Sequence, residues 1–270
     1  MRVIAVLATY NEARYIDGCI RHLNDNGVEV YLLDNESTDG TLDMARKYLH
    51  HGVNAIETLP RAGHFALREQ LRRKEEIYSR LDADWFMHVD ADEIHVARPS
   101  TLSLNEAFAA VENEGYNAVN FIEYTFIPVQ ESPEHDHADF QKTMRWYYPF
   151  LPICPHRLNA WKKTDARAEL GWSGGHLVRF PGLRMYPESF VMRHYLFLGR
   201  AHAQEKYGVK RYAPDELADG WFGGQQGWRN RFSTDILEFP SKNSLREFQG
   251  DDALDASDPR TVHFMTEQMK

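Results

Sequence analysis

Residues 85–93 read Trp85-Phe86-Met87-His88-Val89-Asp90-Ala91-Asp92-Glu93, five residues of strand type followed by a mostly acidic run. A short run of this kind, bounded by polar residues, is typical of a strand covered on both faces of a parallel sheet. Three earlier runs have the same character and also end in polar loops, namely Val3–Ala8, Val28–Leu33 and Val53–Ile56. The sequence therefore predicts four strands in the first third of the chain.

The intervals between these strands carry apolar residues at helical spacing. The helical patterns lie at Ile16–Leu23, Leu42–Leu49 and Phe65–Leu81, and the last also carries charge pairs four residues apart that indicate an exposed face. The Thr-x-x-Glu pattern of Thr9–Glu12 is typical of a helix capping box. Alternating strands and helices predict an α/β fold with a mostly parallel, Rossmann-like sheet flanked by helices.

Periodicity weakens along the remainder of the chain. Leu104–Glu112 is predicted to be helical and Ala118–Phe126 to be a strand, after which irregular structure is expected. We expect one domain in three parts, at 1–98, at 99–234 and an acidic surface extension at 235–270.

Composition narrows the classes of partner. The formal charge of −9 argues against a nucleic-acid partner, which requires a net basic face. Cys19 and Cys154 lie far apart without metal-ligand spacing, so a reducing, cytoplasmic setting is expected. The apolar run at Val3–Ala8 is too short to span a membrane, and any membrane contact is expected to be peripheral, at the inner face.

The carboxyl ends of the strands are where an open parallel sheet binds its ligand. Asp34 directly follows one strand, and a carboxylate there needs a hydrogen-bond donor. Asp90 and Asp92 follow another, and in extended backbone their side chains would project to the same side and face one divalent cation. Such an ion, Mg²⁺ or Mn²⁺, stabilises the charge that develops on a departing diphosphate. Alternatively, two spaced aspartates are only solvated acids.

Three segments, Ala8–Glu12, Asp34–Thr41 and Trp85–Glu93, resemble in order and spacing the signatures of glycosyltransferase family 2, whose fold is called GT-A. The resemblance implies that Thr9 and Glu12 hold a nucleoside, that Asp34 accepts a hydrogen bond from uracil, and that Asp90 and Asp92 bind the metal. The full set of nucleotide-binding candidates is Thr9, Tyr10, Glu12, Asp34, Asn35, Arg61, Arg68, Asp90, Ala91, Arg200 and Lys206.

Each of these positions also has a structural alternative. Glu12 can close a capping box, Asp39 can cap the second helix, and Ser37 and Thr38 can be turn residues. Arg61 and Arg68 can be surface arginines, and Arg200, Lys206 and Lys210 can be a solvated helix face.

The second half of the chain supplies the remaining candidates. Met192–Tyr195 resembles a His-Tyr element of some transferases of this fold, which implies that His194 is a third metal ligand. The Glu-Asp pair in which family 2 enzymes carry their base is missing, so the candidates for the base are His176, Glu169 and Asp165. Candidates for stacking on sugar rings are Trp172, Trp221, Trp228 and Tyr195, although most aromatic residues belong to the core.

The resemblance implies an enzyme that transfers a sugar from a UDP-sugar to a hydroxyl of a saccharide or other acceptor, for a bacterial surface glycan, with inversion. One alternative is a nucleotidyltransferase, but the loop Thr9–Glu12 lacks the glycines of its phosphate loop. The other alternative is a non-catalytic carbohydrate-binding protein on the same fold.

Overall fold

A computed structural model of the protein describes residues 1–227, 229 and 231–268. The chain forms two compact units, each built from separate stretches. Unit 1 comprises Met1–Pro60, Arg68–Ile122 and Cys154–Met192. Unit 2 comprises Arg61–Leu67, Glu123–Ile153 and Arg193–Lys270, of which residues 228, 230, 269 and 270 lie outside the described residues. The predicted single domain, with borders at 98 and 234, stays a prediction.

The strands are β1 Val3–Thr9, β2 Val28–Asp34, β3 Val53–Thr58, β4 Trp85–Val89, β5 Glu93–Val96, β6 Ala118–Phe126, β7 Trp146–Phe150, β8 Arg157–Lys162, β9 Phe190–Tyr195 and β10 Arg246–Glu247. The α-helices are α1 Ile16–Asp25, α2 Thr41–Arg46, α3 Leu67–Arg80, α4 Leu104–Asn113, α5 Phe140–Thr143, α6 Arg200–Ala203, α7 Pro214–Ala218 and α8 Phe264–Gln268. Shorter helical pieces of 3₁₀ or π type are Gly171–Ser173, Gln204–Gly208, Trp221–Gln226, Lys242–Ser244 and Asp251–Ala253.

Parallel strands form the predicted part of the sheet in unit 1. Strand β1 pairs in parallel with β2 on one side and with β4 on the other, and β2 pairs in parallel with β3. The side chains of β4 are all buried, which agrees with a strand covered on both faces. The predicted α/β fold and the four amino-terminal strands are confirmed.

Antiparallel strands extend this sheet within unit 1. Strand β8 pairs antiparallel with β4, and the first residues of β6 pair antiparallel with β8. Sequence reasoning predicted β6 but missed β8, because Arg157–Lys162 has neither a long apolar run nor a strict alternation of polar and apolar residues.

Unit 2 has its own strands and its own core. The end of β6 pairs antiparallel with β7, and β7 with β10. Leu237, Phe239 and Met265 are buried in a cluster with Tyr148 and Phe197. The prediction of a surface tail from residue 235 is therefore wrong for these three side chains, because isolated apolar residues in an acidic segment carry no readable period.

The helices follow the apolar pattern, but one predicted cap is wrong. In α1, Ile16, Ile20 and Leu23 are buried as their spacing predicts. Tyr15 is its N-cap and makes no side-chain capping bond, so Thr9–Glu12 is not a capping box. Thr9 instead ends β1, where its hydroxyl faces Asp34. Among the described residues, no helix is both long and apolar enough to cross a lipid bilayer.

Candidate active site

Thr9 and Asp34 lie side by side at the carboxyl ends of β1 and β2. The Thr9 hydroxyl lies 3.4 Å from Asp34 Oδ1, and the Ser37 amide donates to Asp34 Oδ2 at 3.1 Å. The Asp34 side chain is only 2% exposed. A buried carboxylate needs hydrogen-bond donors, and Thr9 and Ser37 supply two. Asp34 thus fixes the ends of two adjacent strands relative to one another.

The two loops that follow β1 and β2 are bonded to each other. Asn11, which has a positive φ of 56°, donates from its amide to Ser37 Oγ at 3.0 Å and accepts from the Thr38 amide at 2.8 Å. The Glu12 amide donates to Thr41 Oγ1 at 2.8 Å. Ser37, Thr38 and Thr41 therefore hold the loops in place, which for Ser37 and Thr38 agrees with the structural alternative given above.

Asp39 belongs to the same set of bonds. Its carboxylate accepts from the Ala13 amide and from the Thr41 amide, both at 3.0 Å. The N-cap of α2 is Gly40, so Asp39 acts just ahead of the helix and not as its N-cap. It joins the start of α2 to the loop after β1. Tyr10 lies half-buried in that loop, and Asn35 is buried at the start of the next one.

Asp90, Ala91, Asp92 and Glu93 form a tight turn between β4 and β5. The Glu93 amide donates to the Asp90 carbonyl at 3.2 Å, and the Asp90 amide donates to Glu93 Oε2 at 3.2 Å. The prediction that this stretch is extended is wrong, because β5 starts at once and requires the chain to turn. The Asp90 side chain is 48% exposed, whereas Asp92 is 7% exposed, so the two carboxylates differ in access to solvent.

The acidic turn and Asp34 lie at the same edge of the sheet. Leu7 of β1 is opposite Val89 of β4, and Thr9 is opposite Asp34. One strand separates β2 from β4, so their backbones are about 10 Å apart. The polar groups predicted to meet at this edge do so for Thr9, Asp34 and the turn at Asp90.

The charge at this edge is negative. Burial raises the pKa of the Cys19 thiol in α1, and the carboxylates of Glu93, Asp92, Asp90 and Glu12 raise it further. These four carboxylates therefore all lie close enough to Cys19 to make its surroundings negative. Negative charge concentrated at strand ends attracts a divalent cation.

Lys74 is a buried cation beneath the acidic turn. Its ammonium, on α3, lies 3.3 Å from the Val89 carbonyl, 3.4 Å from His88 Nδ1 and 3.9 Å from Asp90 Oδ1. Burial lowers the pKa of Lys74, whereas Asp90 and Glu93 raise it. Because burial, then Lys74 and His176, hold the pKa of His88 well below its usual range, the neutral His88 ring can accept a hydrogen bond from Lys74.

His176 is the candidate base nearest to this polar cluster. Its ring stacks on His156 with 5.3 Å between centroids, and its proximity lowers the pKa of His88. His88 belongs to β4 and lies two residues before Asp90. The other candidates lie elsewhere: Glu169 forms a 2.6 Å ion pair with Arg179.

Asp165 lies at the opposite end of β4. It follows β8, whose Lys162 is opposite Trp85, the first residue of β4. There it lines two surface cavities of about 450 and 340 Å³, which also share Lys163 and Thr164. The geometry of unit 1 thus favours His176 over Asp165.

His194 belongs to unit 2 and is held by a buried carboxylate. Its Nδ1 lies 2.7 Å from Glu123 Oε1, and Glu123 is fully buried and also accepts from Thr125 at 3.1 Å. A carboxylate at one ring nitrogen fixes the tautomer and orientation of an imidazole, as it does for histidines that bind metals.

The basic candidates are divided between the units. Arg68 is exposed at the start of α3 in unit 1. In unit 2, Arg61 is half-buried, Arg200 donates to the Thr234 carbonyl and its guanidinium lies over the Phe239 ring, and Lys206 lies on the short π-helix. Arg200 therefore has a structural role in unit 2.

The aromatic candidates also separate. Trp172 is 50% exposed, with the Arg179 guanidinium 5.2 Å from its ring centroid. Tyr195 is fully buried and stacks on Phe126, so the prediction that it stacks on sugar is wrong. Trp221 is half-buried, and Trp228 lies outside the described residues.

The donor chemistry of the acidic turn fits a hard cation. Among the described residues, no three His, Cys, Asp or Glu side chains are grouped as a ready-made metal site. Mg²⁺ is commonly held by one or two carboxylates, with phosphate oxygens and water completing its shell. Asp90 and Asp92, on either side of Ala91, supply two carboxylates for this arrangement.

Sequence reasoning missed several polar residues around this edge. In unit 1 they are Lys74, His88 and Glu93, all of which are buried. Two other buried carboxylates were also missed, Glu75 on α3 and, in unit 2, Glu123. For Glu93 the signal was its place directly after Asp92. Lys74 and Glu75 lie in a helix whose ion-pair spacing indicated an exposed face, so the sequence did not predict that these two side chains are buried.

Comparison with known proteins shows a family match for the amino-terminal part of the chain. Residues 4–98 match the sequence model described as Glycosyl transferase family 2. These residues carry the family 2 signature. The resemblance seen in the sequence is thus confirmed for this segment. The segment contains the ends of β1, β2 and β4 together with α3. No curated protein sequence matches the chain.

Several solved structures are similar to parts of the chain. They include TarS 1–349 of S. aureus in complex with UDP, at 13% identity over 77% of this chain and 63% of that one, with a TM-score of 0.41. Glucosyl-3-phosphoglycerate synthase from Mycobacterium tuberculosis, in complex with Mn²⁺, UDP and glucosyl-3-phosphoglycerate, is 21% identical over 46% of this chain and 44% of that one, with a TM-score of 0.31. The chain spans 37% of another solved TarS chain.

Proposed function

We propose that the protein is a glycosyltransferase that moves a sugar from a UDP-sugar to a hydroxyl of a saccharide acceptor, with inversion and with Mn²⁺ or Mg²⁺. The observation that carries the proposal is the strand register, in which Thr9 and Asp34 share an edge with the acidic turn at Asp90. The family 2 match over residues 4–98 supports the same assignment.

Each side chain then has a chemical task. Asp34 and Thr9 contact the nucleoside at the ends of β1 and β2. Asp90 and Asp92 would hold the cation. The expectation from the sequence that His194 is a third ligand stays a prediction. When bound, the cation stabilises negative charge on the diphosphate as it leaves the sugar. The solved relatives bound to UDP or to UDP with Mn²⁺ motivate the choice of nucleotide and metal.

His176 is the proposed base. In an inverting transfer, a base takes the proton of the acceptor hydroxyl as its oxygen attacks the sugar carbon opposite the leaving group. Its place beside His156 and His88, on the side of β4 that ends at Asp90, supports this role. Glu169 is less suited because Arg179 already holds its carboxylate.

The test compares Asp92→Asn with Asp82→Asn, the same chemical change at a fully exposed carboxylate. UDP binding is measured by calorimetry with and without Mn²⁺, and UDP release is measured with UDP-glucose, UDP-galactose and UDP-N-acetylglucosamine. We expect Asp92→Asn to weaken Mn²⁺-dependent UDP binding about tenfold or more, and Asp82→Asn to leave it unchanged.

Three other results would refute the proposal. UDP binding by Asp92→Asn with an unchanged Mn²⁺ dependence would remove the metal role. Pyrophosphate release from UTP and a sugar phosphate would identify a nucleotidyltransferase. Binding of nucleotide sugars by the wild type without UDP release, in the presence of simple saccharide acceptors, would identify a binding protein.

A further inference from the structure

The carboxylate of Glu75 receives three donors from one distant loop. Glu75 Oε1 accepts from the amides of Leu170 at 2.7 Å and Gly171 at 2.9 Å, and Oε2 accepts from Arg167 Nη2 at 2.6 Å. Glu75 lies on α3 and is 8% exposed. Burial raises its pKa, but the bonds from Gly171, Leu170 and Arg167 outweigh burial and the pKa is lowered.

The loop held in this way leads directly to His176. The Gly175 amide donates to the Leu170 carbonyl at 3.1 Å, and the Leu177 amide donates to Ser173 Oγ at 2.9 Å, so residues 170–177 form one compact loop. At its far end the Val178 amide donates to the Leu158 carbonyl of β8 at 3.1 Å. Glu75 is thus the anchor of the loop on the side of α3.

Glu75 is adjacent in sequence to Lys74, which lies under the acidic turn. The two residues point in different directions from one helical turn, because neighbours on a helix differ by about 100°. Lys74 reaches the end of β4, whereas Glu75 reaches the loop of His176. One turn of α3 therefore touches both the predicted metal-binding turn and the loop of the predicted base.

We propose that Glu75 is a positioning residue for sugar transfer, which acts by fixing the loop from Arg167 to His176. The inference rests on the proposed function. Three charge-assisted hydrogen bonds to one buried carboxylate are strong and geometrically restrictive. Without them the backbone at Leu170 is released, and His176 loses its fixed approach to the strand end. The loss then falls on the chemical step and not on donor binding, since the donor contacts lie on other strands.

The matched pair for the test is Glu75→Gln and Glu76→Gln. The change is identical, but Glu76 is 40% exposed and pairs with Arg72 and Arg73 at the surface. Hydrogen exchange of a peptide covering residues 167–178 is measured together with kcat and KM for UDP release, using the best UDP-sugar of the donor panel. Glu75→Gln keeps one oxygen that can accept from the Leu170 and Gly171 amides, but it removes the charge and the acceptor of Arg167. We expect exchange at Leu170 and Gly171 to rise about tenfold, kcat to fall about tenfold and KM to stay within about twofold. A tenfold change corresponds to about 1.4 kcal/mol, the contribution of one hydrogen bond to a charged group. Glu76→Gln should change none of them.

Arg167→Met provides a second variant should Glu75→Gln fail to fold. It removes one of the three donors from the solvent side, where Arg167 is 65% exposed, and should raise exchange and lower kcat by smaller factors. Faster loop exchange with unchanged kcat would show a merely structural bond and overturn the proposal. Unchanged exchange would overturn the anchor itself. A wild type that releases no UDP from any donor would instead overturn the proposed function, while the exchange data would still report on the loop.

Discussion

Replacement of Lys74 by methionine separates the stability of the fold from the geometry of the acidic turn. The Lys74 ammonium lies 3.9 Å from Asp90 Oδ1. At that distance the attraction is about 4 kcal/mol for an effective dielectric constant of 20. Because the Asp90 carboxylate is half in solvent, screening reduces its share to about 1–2 kcal/mol.

Burial of the ammonium has the opposite sign. Removing a charge from water costs several kcal/mol even after relaxation, and the lowered pKa of Lys74 indicates that burial outweighs its attraction to Asp90 and Glu93. Glu93 is not left alone, because Arg157 lies 3.9 Å from its carboxylate. We therefore expect Lys74→Met to change the free energy of unfolding by less than about 1 kcal/mol, or to increase it.

Activity should nevertheless fall. The attraction that orients the Asp90 carboxylate is about 1–2 kcal/mol, and its loss in the transition state corresponds to a decrease of roughly 5- to 30-fold in kcat/KM. The assay is UDP release from the best donor of the panel, alongside thermal unfolding. The control is Arg72→Met on the same helix, whose side chain is 51% exposed, and it should leave both quantities unchanged.

Two results would refute this reasoning. If Lys74 acted only through its charge, its removal would make the acidic turn more negative, so Mn²⁺-dependent UDP binding would tighten and kcat/KM would be kept. If Lys74 were mainly structural, the thermal midpoint would drop in proportion to the loss of activity.

Two further predictions concern backbone and capping. Gly175→Ala should lower the free energy of unfolding by about 2–4 kcal/mol and lower UDP release, because φ is 92° and a Cβ would lie 3.1 Å from the His88 ring. Gly174→Ala is the control, with φ of 68° and no atom nearer than 3.8 Å to its Cβ. It should lower the free energy of unfolding by about 1 kcal/mol and keep turnover. Equal effects on turnover would contradict the contact with His88. Ser103→Ala should lower the free energy of unfolding by about 1 kcal/mol, because Ser103 caps α4, and a thermal melt with an unchanged midpoint would show that the cap contributes nothing.

The parallel part of the sheet was predictable because its strands are continuous apolar runs. Trp85–Val89 was predicted to the residue, and the other three strands to within one or two residues. The polar edge followed from that prediction, since parallel strands bring their carboxyl ends together. The antiparallel strand β8 was missed because its polar residues, such as Asn159, are buried at an irregularity of the pairing with β6.

Capping shows how a local pattern depends on its surroundings. Thr9–Glu12 and Ser103–Glu106 have the same spacing, but only the second is a capping box. Thr9 ends a strand and lies opposite Asp34, so its hydroxyl faces a carboxylate and not a helix terminus. Ser103 follows a loop and is extended, with ψ of 158°, as an N-cap requires.

The position of Lys74 and Glu75 shows why the charged face of a helix cannot be assigned from ion-pair spacing alone. Arg72 pairs with Glu69 and Glu76 at the surface, as a solvated face would. Lys74 and Glu75 lie in the same turns but face the strand end and the loop before His176. Buried charges of opposite sign are unfavourable for folding unless each has a partner. Lys74 has Asp90 at the acidic turn, and Glu75 has Arg167 and two backbone amides of the loop that leads to His176. The Lys74→Met and Glu75→Gln variants test separately whether the proposed reaction requires each of these buried charges.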